Sequence, residues 1–388
     1  MKIIIRKNVF LCGIILCICL CLLASPGSAA LPYGKIVAWG YPSSNSTFGK
    51  PPAGNDFTNV STGEAHALAL RSDGSIAGWG VNLNGQATPL AGNDFIAIAA
   101  GNNFSLALRS NGSIAGWGVN TYNQATPPAG TDFTAIAAGN DFGLALRSNG
   151  SIAGWGRNNY GQLGTPAGED FIAIAAGSEH GLALRSNGSI AAWGSYPPGG
   201  GPNPPPGGDY YTAISGGYGN SVALCANGTI VQWGYPFTAI PSDSIYTAIS
   251  AGTWDNLALR SNGTIVTWYH SGAGGNIPPS ENNFTAISAG DRYFLAIEKA
   301  TPAITALSPS YKRARSSGFK LAVKGTGFVP GSQIQWNGTG STTSYVTPAK
   351  LTMKVSAKDI RKKGKIPVTV LNPEPLPVLS NVKMFKIK

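Results

Sequence analysis

The stretch DFTAIAAGNDFGLALRSNGSIAGWGRNNYGQLGTPAGE, residues Asp132 to Glu169, decides the fold. Its apolar runs Phe133 to Ala138, Phe142 to Arg147 and Ser151 to Trp155 have strand length and are separated by turn residues, and a short fourth run lies near Gln162 to Thr165. Between the second and third runs stands Asn149-Gly150, which predicts a type I′ hairpin with positive φ at both central residues. The same unit recurs on either side. Trp39, Trp79, Trp117, Trp155, Trp193, Trp233 and Trp268 fall at intervals of 40, 38, 38, 38, 40 and 35 residues. An aromatic opens a small apolar run at Phe57, Phe95, Phe133, Phe171, Tyr211, Tyr246 and Phe284. Asp73-Gly74, Asn111-Gly112, Asn187-Gly188, Asn227-Gly228 and Asn262-Gly263 repeat the hairpin signal. Several of these sites also match the N-x-Ser/Thr pattern for glycosylation, and the turn accounts for them without sugar.

Four antiparallel strands repeated seven times at this period predict a seven-bladed β-propeller. The ring must close, and the chain supplies the means. Ile36 to Gly40 is a third strand with no first or second before it, and the last repeat offers Phe284 to Ala289 and Tyr293 to Ile297 with no third after them. Both ends together complete the seventh blade and leave no open sheet edge.

Composition agrees with an all-β chain. Charged residues make up 12% of the 388 residues and Gly numbers 52, which disfavours helical bundles; 43% hydrophobic residues exclude general disorder. Lys2, Arg6 and Lys7 precede the apolar run Val9 to Ala24 and then Ser25-Pro26-Gly27 and Ser28-Ala29-Ala30, the three parts of a secretory signal with cleavage expected after Ala30 or one residue earlier. No lipoprotein is expected, because no Cys of the run follows a small residue. Four of the five Cys lie in that leader, so only Cys225 remains and no intramolecular disulfide can form in the mature chain. The expected organisation is a signal peptide at 1–30, a propeller at 31–300 and a second domain at 301–388.

VSTGEAHALAL at Val60 to Leu70, IAAGSEHGLAL at Ile174 to Leu184 and WGRNNYGQLG at Trp155 to Gly164 resemble the regulator of chromosome condensation repeat, a family of seven-bladed propellers. The likeness covers about Lys35 to Glu298. Short blades, secretion and the QATP end at Gln124 to Pro127 are also similar to secreted propellers that inhibit β-lactamases. The nuclear branch of the family implies chromatin binding and nucleotide exchange on a small GTPase through an inserted wedge. No interval here exceeds 40 residues, so no wedge has room. Residues 31–300 carry 10 Lys and Arg against 15 Asp and Glu, a net of −5, opposite in sign to what nucleic-acid binding needs. Neither nucleic acid nor a small GTPase is expected as partner.

Composition shifts near Thr301-Pro302. Residues 301–388 hold 15 Lys and Arg with only Asp359 and Glu374 as acids, a net of +13. PAITALSPS from Pro302, VKGTGFVPGSQIQWNGT from Val323 to Thr339 and IPVTVLNPEP from Ile366 to Pro375 resemble the IPT/TIG immunoglobulin-like family, a β-sandwich. Phe319, Leu321 and Val323 alternate with Lys320 and Lys324, and Leu351, Met353 and Val355 with Lys350 and Lys354, so the lysines form outward rows. The loop Arg361, Lys362, Lys363, Gly364, Lys365 adds charge suited to an anionic cell-surface polymer, against the plainer readings of a solvated face or of docking on the acidic propeller.

Catalysis has little support. His66 and His180 share one repeat position that Phe104, Phe142, Asn220, Asp255 and Tyr293 fill elsewhere, which reads as blade packing. Gly325-Thr326-Gly327 lacks the context of a phosphate loop, and no cofactor or metal is expected. Strand direction puts the loops after the first and third strands on one rim and the Asn-Gly hairpins on the other. The repeats differ most on the first rim, which is therefore the expected ligand face: Tyr218, Trp254, Asp255, Asp291, Arg292 and Tyr293 beside the mouth, with Tyr122 and Tyr160 after the Trp strands. The expectation is a secreted or cell-surface, non-catalytic protein that recognises a protein or carbohydrate, with Arg361, Lys362, Lys363 and Lys365 aiding attachment. The alternatives are an inhibitor of an exported enzyme, or a polysaccharide-acting enzyme for which Asp255 and Asp291 would be the acids to test.

Overall fold

A computed structural model describes residues 34–40, 49–195, 205–208, 210–234, 239–242, 245–269, 277–373 and 377–388. Residues 1–30, where a signal peptide is expected, lie outside the described residues. The chain is all-β; among the described residues one short 3₁₀ turn, Ala357–Ile360, is the exception.

Six three-stranded blades follow in chain order, the first linked at its edge to the last through Gly34 opposite Phe57. They are Phe57–Thr62, His66–Arg71 and Ile76–Gly80; Phe95–Ala100, Phe104–Arg109 and Ile114–Gly118; Phe133–Ala138, Phe142–Arg147 and Ile152–Gly156. Then come Phe171–Ala176, His180–Arg185 and Ile190–Gly194; Tyr211–Gly216, Asn220–Cys225 and Ile230–Gly234; Tyr246–Ala251, Asp255–Arg260 and Ile265–Tyr269. The seventh blade joins Phe284–Ala289 and Tyr293–Lys299 to Gly34–Gly40, which runs antiparallel to its partner in unbroken register from Gly34 opposite Lys299 to Gly40 opposite Tyr293. The ring is thus closed by both ends of the propeller segment, with Trp39 lying 5.6 Å from Phe294 between ring centroids.

Two local expectations need correction. The run Gln162 to Thr165 is a turn, and each described blade has three strands rather than four. The polar groups of the Gln are used elsewhere. The Gln162 side-chain oxygen accepts from the Tyr160 amide at 2.8 Å, and its carbonyl accepts from the Trp193 indole of the next blade at 2.8 Å. Gln86 and Gln124 receive Trp117 and Trp155 in the same way, both at 2.9 Å. The hairpins are also not of type I′. Only the Gly has positive φ, +84° at Gly150, and its amide donates to Arg147 O at 2.9 Å, which is a type I turn followed by a left-handed Gly in a bulge. Asn149 Oδ1 completes the turn by accepting from the Ser151 amide at 3.0 Å and its hydroxyl at 2.8 Å. A Cβ on Gly150 would lie 2.7 Å from the Glu169 carbonyl carbon, where the chain enters the next blade, so no other residue fits.

A repeated clamp fixes that same rim. Arg71, Arg109, Arg147 and Arg185 each pair with an Asp (Asp56, Asp94, Asp132 and Asp170) and lie 4.3 to 4.6 Å over Phe57, Phe95, Phe133 and Phe171. These pairs are part-exposed, and each contributes about 1 kcal/mol at most.

Residues beyond the propeller form a two-sheet sandwich. One sheet is Ala303–Ser308, Phe319–Thr326, Lys350–Val355 and Thr343–Thr347; the other centres on Gln333–Trp336, Gly364–Asn372 and Lys383–Ile387. Leu321, Val323, Leu351 and Met353 face Ile334, Val368 and Phe385 in one core. Asn372 ties the domain to its neighbour, its amide donating to Ala300 O and Gly327 O, each at 2.9 Å. Tyr345 stands close enough to Asp56 for that carboxylate, after burial, to push the phenol up from its ordinary value. The chain thus leaves the propeller on the hairpin rim, and the opposite rim faces away.

The closure yields a prediction. Trp39 is half-buried, so Trp39→Ala should cost about 2 kcal/mol, below the ~3–5 of a fully buried aromatic. Deleting residues 31–40 should cost more, because the whole Tyr293–Lys299 edge opens. Thermal melts check both, and a truncated chain that melts like the intact one contradicts the closure.

Candidate functional site

Every blade turns from its first to its second strand at a Gly: Gly63, Gly101, Gly139, Gly177, Gly217, Gly252 and Gly290. These glycines crowd one another around the axis. A Cβ at Gly177 would lie 2.6 Å from Gly217 O, one at Gly252 2.6 Å from Gly290 O, and one at Gly290 2.9 Å from Gly63 O across the closing seam. They rim a cavity of about 560 Å³ lined by the first strands of all seven blades. Its wall is not uniform. Three consecutive blades present Ala99, Ala137 and Ala175, whereas Ser215, Ser250, Ser288 and Ser61 occupy the matching place in the other four. Three of these hydroxyls accept an amide of the next blade, from Ala251 and Ala289 at 2.9 Å and from Ala100 at 3.0 Å. The fourth, Ser288, accepts from Thr62 at 3.1 Å and so spans the seam.

The residues that follow each Gly form the lip. Glu64, Asn102, Asn140, Ser178, Tyr218, Thr253, Trp254 and Asp291 all line the cavity. Burial pushes the Glu64 carboxyl up, the charge of Asp291 in the adjacent blade adds to this, and a hydrogen bond with Asn102 opposes it. Burial also raises Glu179, against the pull of Arg157. The mouth is therefore acidic on the seam side. Arg292 stacks its guanidinium 5.3 Å over Trp254 and holds a left-handed backbone, φ +57°, that non-Gly residues seldom adopt.

A second patch lies across the ring. Arg157 sits between Tyr122 and Tyr160, 5.4 and 5.6 Å from their rings, and reaches Asp141 at 3.4 Å. Tyr122, Tyr160 and Tyr218 are 43 to 45% exposed, as a contact surface requires. Arg157 was not among the expected residues. The signal was present, since the matching positions of the preceding blades are Val81 and Val119.

Two expected members are absent from this surface. Asp255 is 1% exposed and Tyr293 6%, because both begin second strands and point between blades. Tyr293 accepts the Trp79 indole at 3.3 Å across the seam, a structural use. Asp255 and Asp291 thus form no open acid pair, and the carboxylates that share the mouth are Glu64 and Asp291. His66 and His180 occupy the same buried position as Asp255 and bond to serines of the following blades, His66 Nε2 to Ser105 Oγ at 2.9 Å and His180 Nε2 to Ser221 Oγ at 3.0 Å. Among the described residues no group of three His, Cys, Asp or Glu could hold a metal ion. Arg361, Lys362, Lys363 and Lys365 are exposed on the sandwich, remote in sequence and element from the mouth.

The profile of the Regulator of chromosome condensation (RCC1) repeat matches residues 57–86, 95–124, 133–162 and 171–195, and that of the IPT/TIG domain matches residues 302–382. The chain carries these repeats and this domain. Prp20p from Saccharomyces cerevisiae, whose binding to Gsp1p and histones its structure report describes, is similar at 18% identity and TM-score 0.58, over 69% of this chain and 92% of its own. Yeast RCC1 (Prp20) in the structure with Kap60 gives 16% identity and TM-score 0.57 over 77% and 97% of the two chains. Human WBSCR16 gives 15% and 0.56 over 69% and 99%. At these identities the likeness is one of fold. No curated protein sequence matches the chain.

The buried histidines make stability depend on acid. Burial lowers His66 to about 4 and His180 to about 3 from the ordinary 6.5. Above pH 6.5 folded and unfolded chains are both neutral at these sites. As pH falls below 6.5, the unfolded chain binds protons that the fold refuses, and stability drops until those lower values are reached. Replacing both by Phe and their partners Ser105 and Ser221 by Gly, the residues found at the matching positions as Phe104 with Gly143 and Phe142 with Gly181, should flatten this fall between pH 6.5 and 4. Melting temperature against pH for the two proteins reads the difference, and parallel curves contradict it.

Proposed function

We propose that this protein is an exported, non-catalytic binding protein whose propeller mouth engages a protein ligand and whose basic immunoglobulin-like domain holds it at an anionic surface. One observation carries the reading. Blades that repeat almost unchanged at their hairpins differ at the mouth rim, and there they place two aromatic and Arg patches, Trp254 with Arg292 beside Tyr218, and Tyr122, Arg157 and Tyr160 across the ring. Tyr, Trp and Arg are the side chains that anchor protein interfaces, since they give large contact area at small entropic cost. Two patches on separate blades favour a partner broad enough to cover the mouth, and a broad partner is a protein before it is a sugar. The binding of Gsp1p and histones reported for Prp20p supports protein recognition by this fold, though not those partners. The acidic lip at Glu64 and Asp291 favours a ligand that brings positive charge.

Export rests on the leader sequence at the N-terminus, and attachment on the net +13 of residues 301–388. Because the chain leaves the propeller on the hairpin rim, an attached domain leaves the mouth open to solvent.

Affinity capture with the mature chain as bait tests the reading. Once a ligand is in hand, Trp254→Ala and Tyr218→Ala should each weaken binding about thirtyfold, the equivalent of about 2 kcal/mol. Ser151→Ala, on the opposite rim, should leave affinity unchanged. Loss of binding in Ser151→Ala with full binding in the aromatic variants assigns the wrong face.

A further inference from the structure

The outer face of the first sandwich sheet carries an arrangement that folding alone disfavours. Phe319–Thr326 and Lys350–Val355 pair antiparallel with Lys320 opposite Lys354 and Lys324 opposite Lys350. Like charges directly across a strand pair repel and destabilise the sheet. Here two such pairs stand on one face, all four lysines exposed, and the ion pairs among the described residues include none of them. Between the pairs lie Ala322 opposite Thr352, with Ser344 beside Thr352 on the neighbouring strand. The inner face of the same strands holds Leu321, Val323, Leu351 and Met353, so each Lys is held outward by the alternation and cannot turn away.

We propose that this lysine ladder is the surface by which the domain binds a linear anionic polysaccharide. The proposal rests on the reading of the domain as an attachment module and moves the contact from the Arg361 to Lys365 loop to the sheet face. Four residues along a strand separate the two pairs, about 13 Å, and adjacent strands lie about 5 Å apart, so the ammonium groups form two parallel rows along which an extended chain can lie. The floor between them is made of small side chains, half-buried Ala322 and buried Thr352, with exposed Ser344 at its side. A membrane surface would call for an apolar side chain to insert, and a single-stranded nucleic acid for aromatic rings on which bases stack. A flat sheet face also has nothing to enter a duplex groove. Lys in place of Arg suits scattered sulfates or carboxylates, which are met as point charges rather than by a planar fork.

The test compares two variants of the full mature chain that lose equal charge. One is K320Q/K324Q/K350Q/K354Q, the other R361Q/K362Q/K363Q/K365Q, and the probe is a labelled heparin oligosaccharide titrated across a salt series. The ladder variant should bind at least tenfold more weakly at low salt, with a slope of log affinity against log salt shallower by about 3. It should also melt no lower than the wild type, because the opposed charges are gone; this separates lost contact from lost folding. The loop variant should change affinity by less than threefold. Equal losses in both variants mean that net charge alone acts, and a larger loss in the loop variant moves the site; either overturns the ladder while leaving the attachment reading in place. A wild-type chain that does not bind heparin at all ends both. Tighter binding to duplex DNA or to phosphatidylserine vesicles than to heparin overturns the polysaccharide assignment.

Discussion

A three-stranded sheet of this composition is apolar on both faces and so needs a partner on each, and only a closed ring gives every blade two. The core is accordingly not inside the blades but between them. Phe104, Leu106 and Leu108 pack with Phe133, Ile136 and Trp155 of the next blade, and Phe142 and Leu144 with Phe171, Ile174 and Trp193 of the one after. At the seam, Phe57 and Trp79 of the first blade meet Leu295 and Ile297 of the last, with Ile36 from the N-terminal strand. If the seam opens, two apolar faces and a sheet edge reach water together, which is why the short segment Gly34–Gly40 matters out of proportion to its length.

Packing between blades also explains substitutions that look arbitrary along the chain. At three places a polar residue at the start of a second strand goes with a polar residue in the following blade: His66 with Ser105, His180 with Ser221, Asn220 with Asn256. Where the following blade has Gly143 or Gly181, the position is Phe104 or Phe142 and packs near the Trp that covers that Gly. The rim clamp varies too, and in the blade beginning at Tyr246 Ile245 takes the place of the Asp while Arg260 stays. Tyr210 replaces the Asp in the blade where Cys225 replaces the Arg, and in the last blade Asn283 donates to Glu298 at 3.3 Å. Cys225, free and buried, thus stands where four other blades place the Arg of an ion pair.

The period, the number of blades and the closure were legible because they depend on spacing, and spacing survives in the sequence. The hairpin type was not, since Asn-Gly serves both a two-residue turn and a three-residue turn with a bulge, and only the partner of Arg147 decides. The fourth strand failed for a related reason: Gln162 to Thr165 stands where a further strand would complete the blade, but the hydrogen bonds of Gln162 go to a turn and to the next blade. At the mouth, Tyr218, Trp254, Asp291 and Arg292 were placed by strand direction, whereas Asp255 and Tyr293, one residue further along, fall on the strand and turn inward. The lysine rows followed from alternation. Their opposition across strands did not, because Phe319–Thr326 and Lys350–Val355 are joined through intervening strands whose register the sequence leaves open.

The glycines at the lip set the circumference of the ring, because a Cβ at Gly290 would already lie 2.9 Å from Gly63 O across the closing seam. Each blade therefore acts as a wedge of fixed angle, and the size of the ring is counted out by contacts between neighbours rather than measured by any single strand.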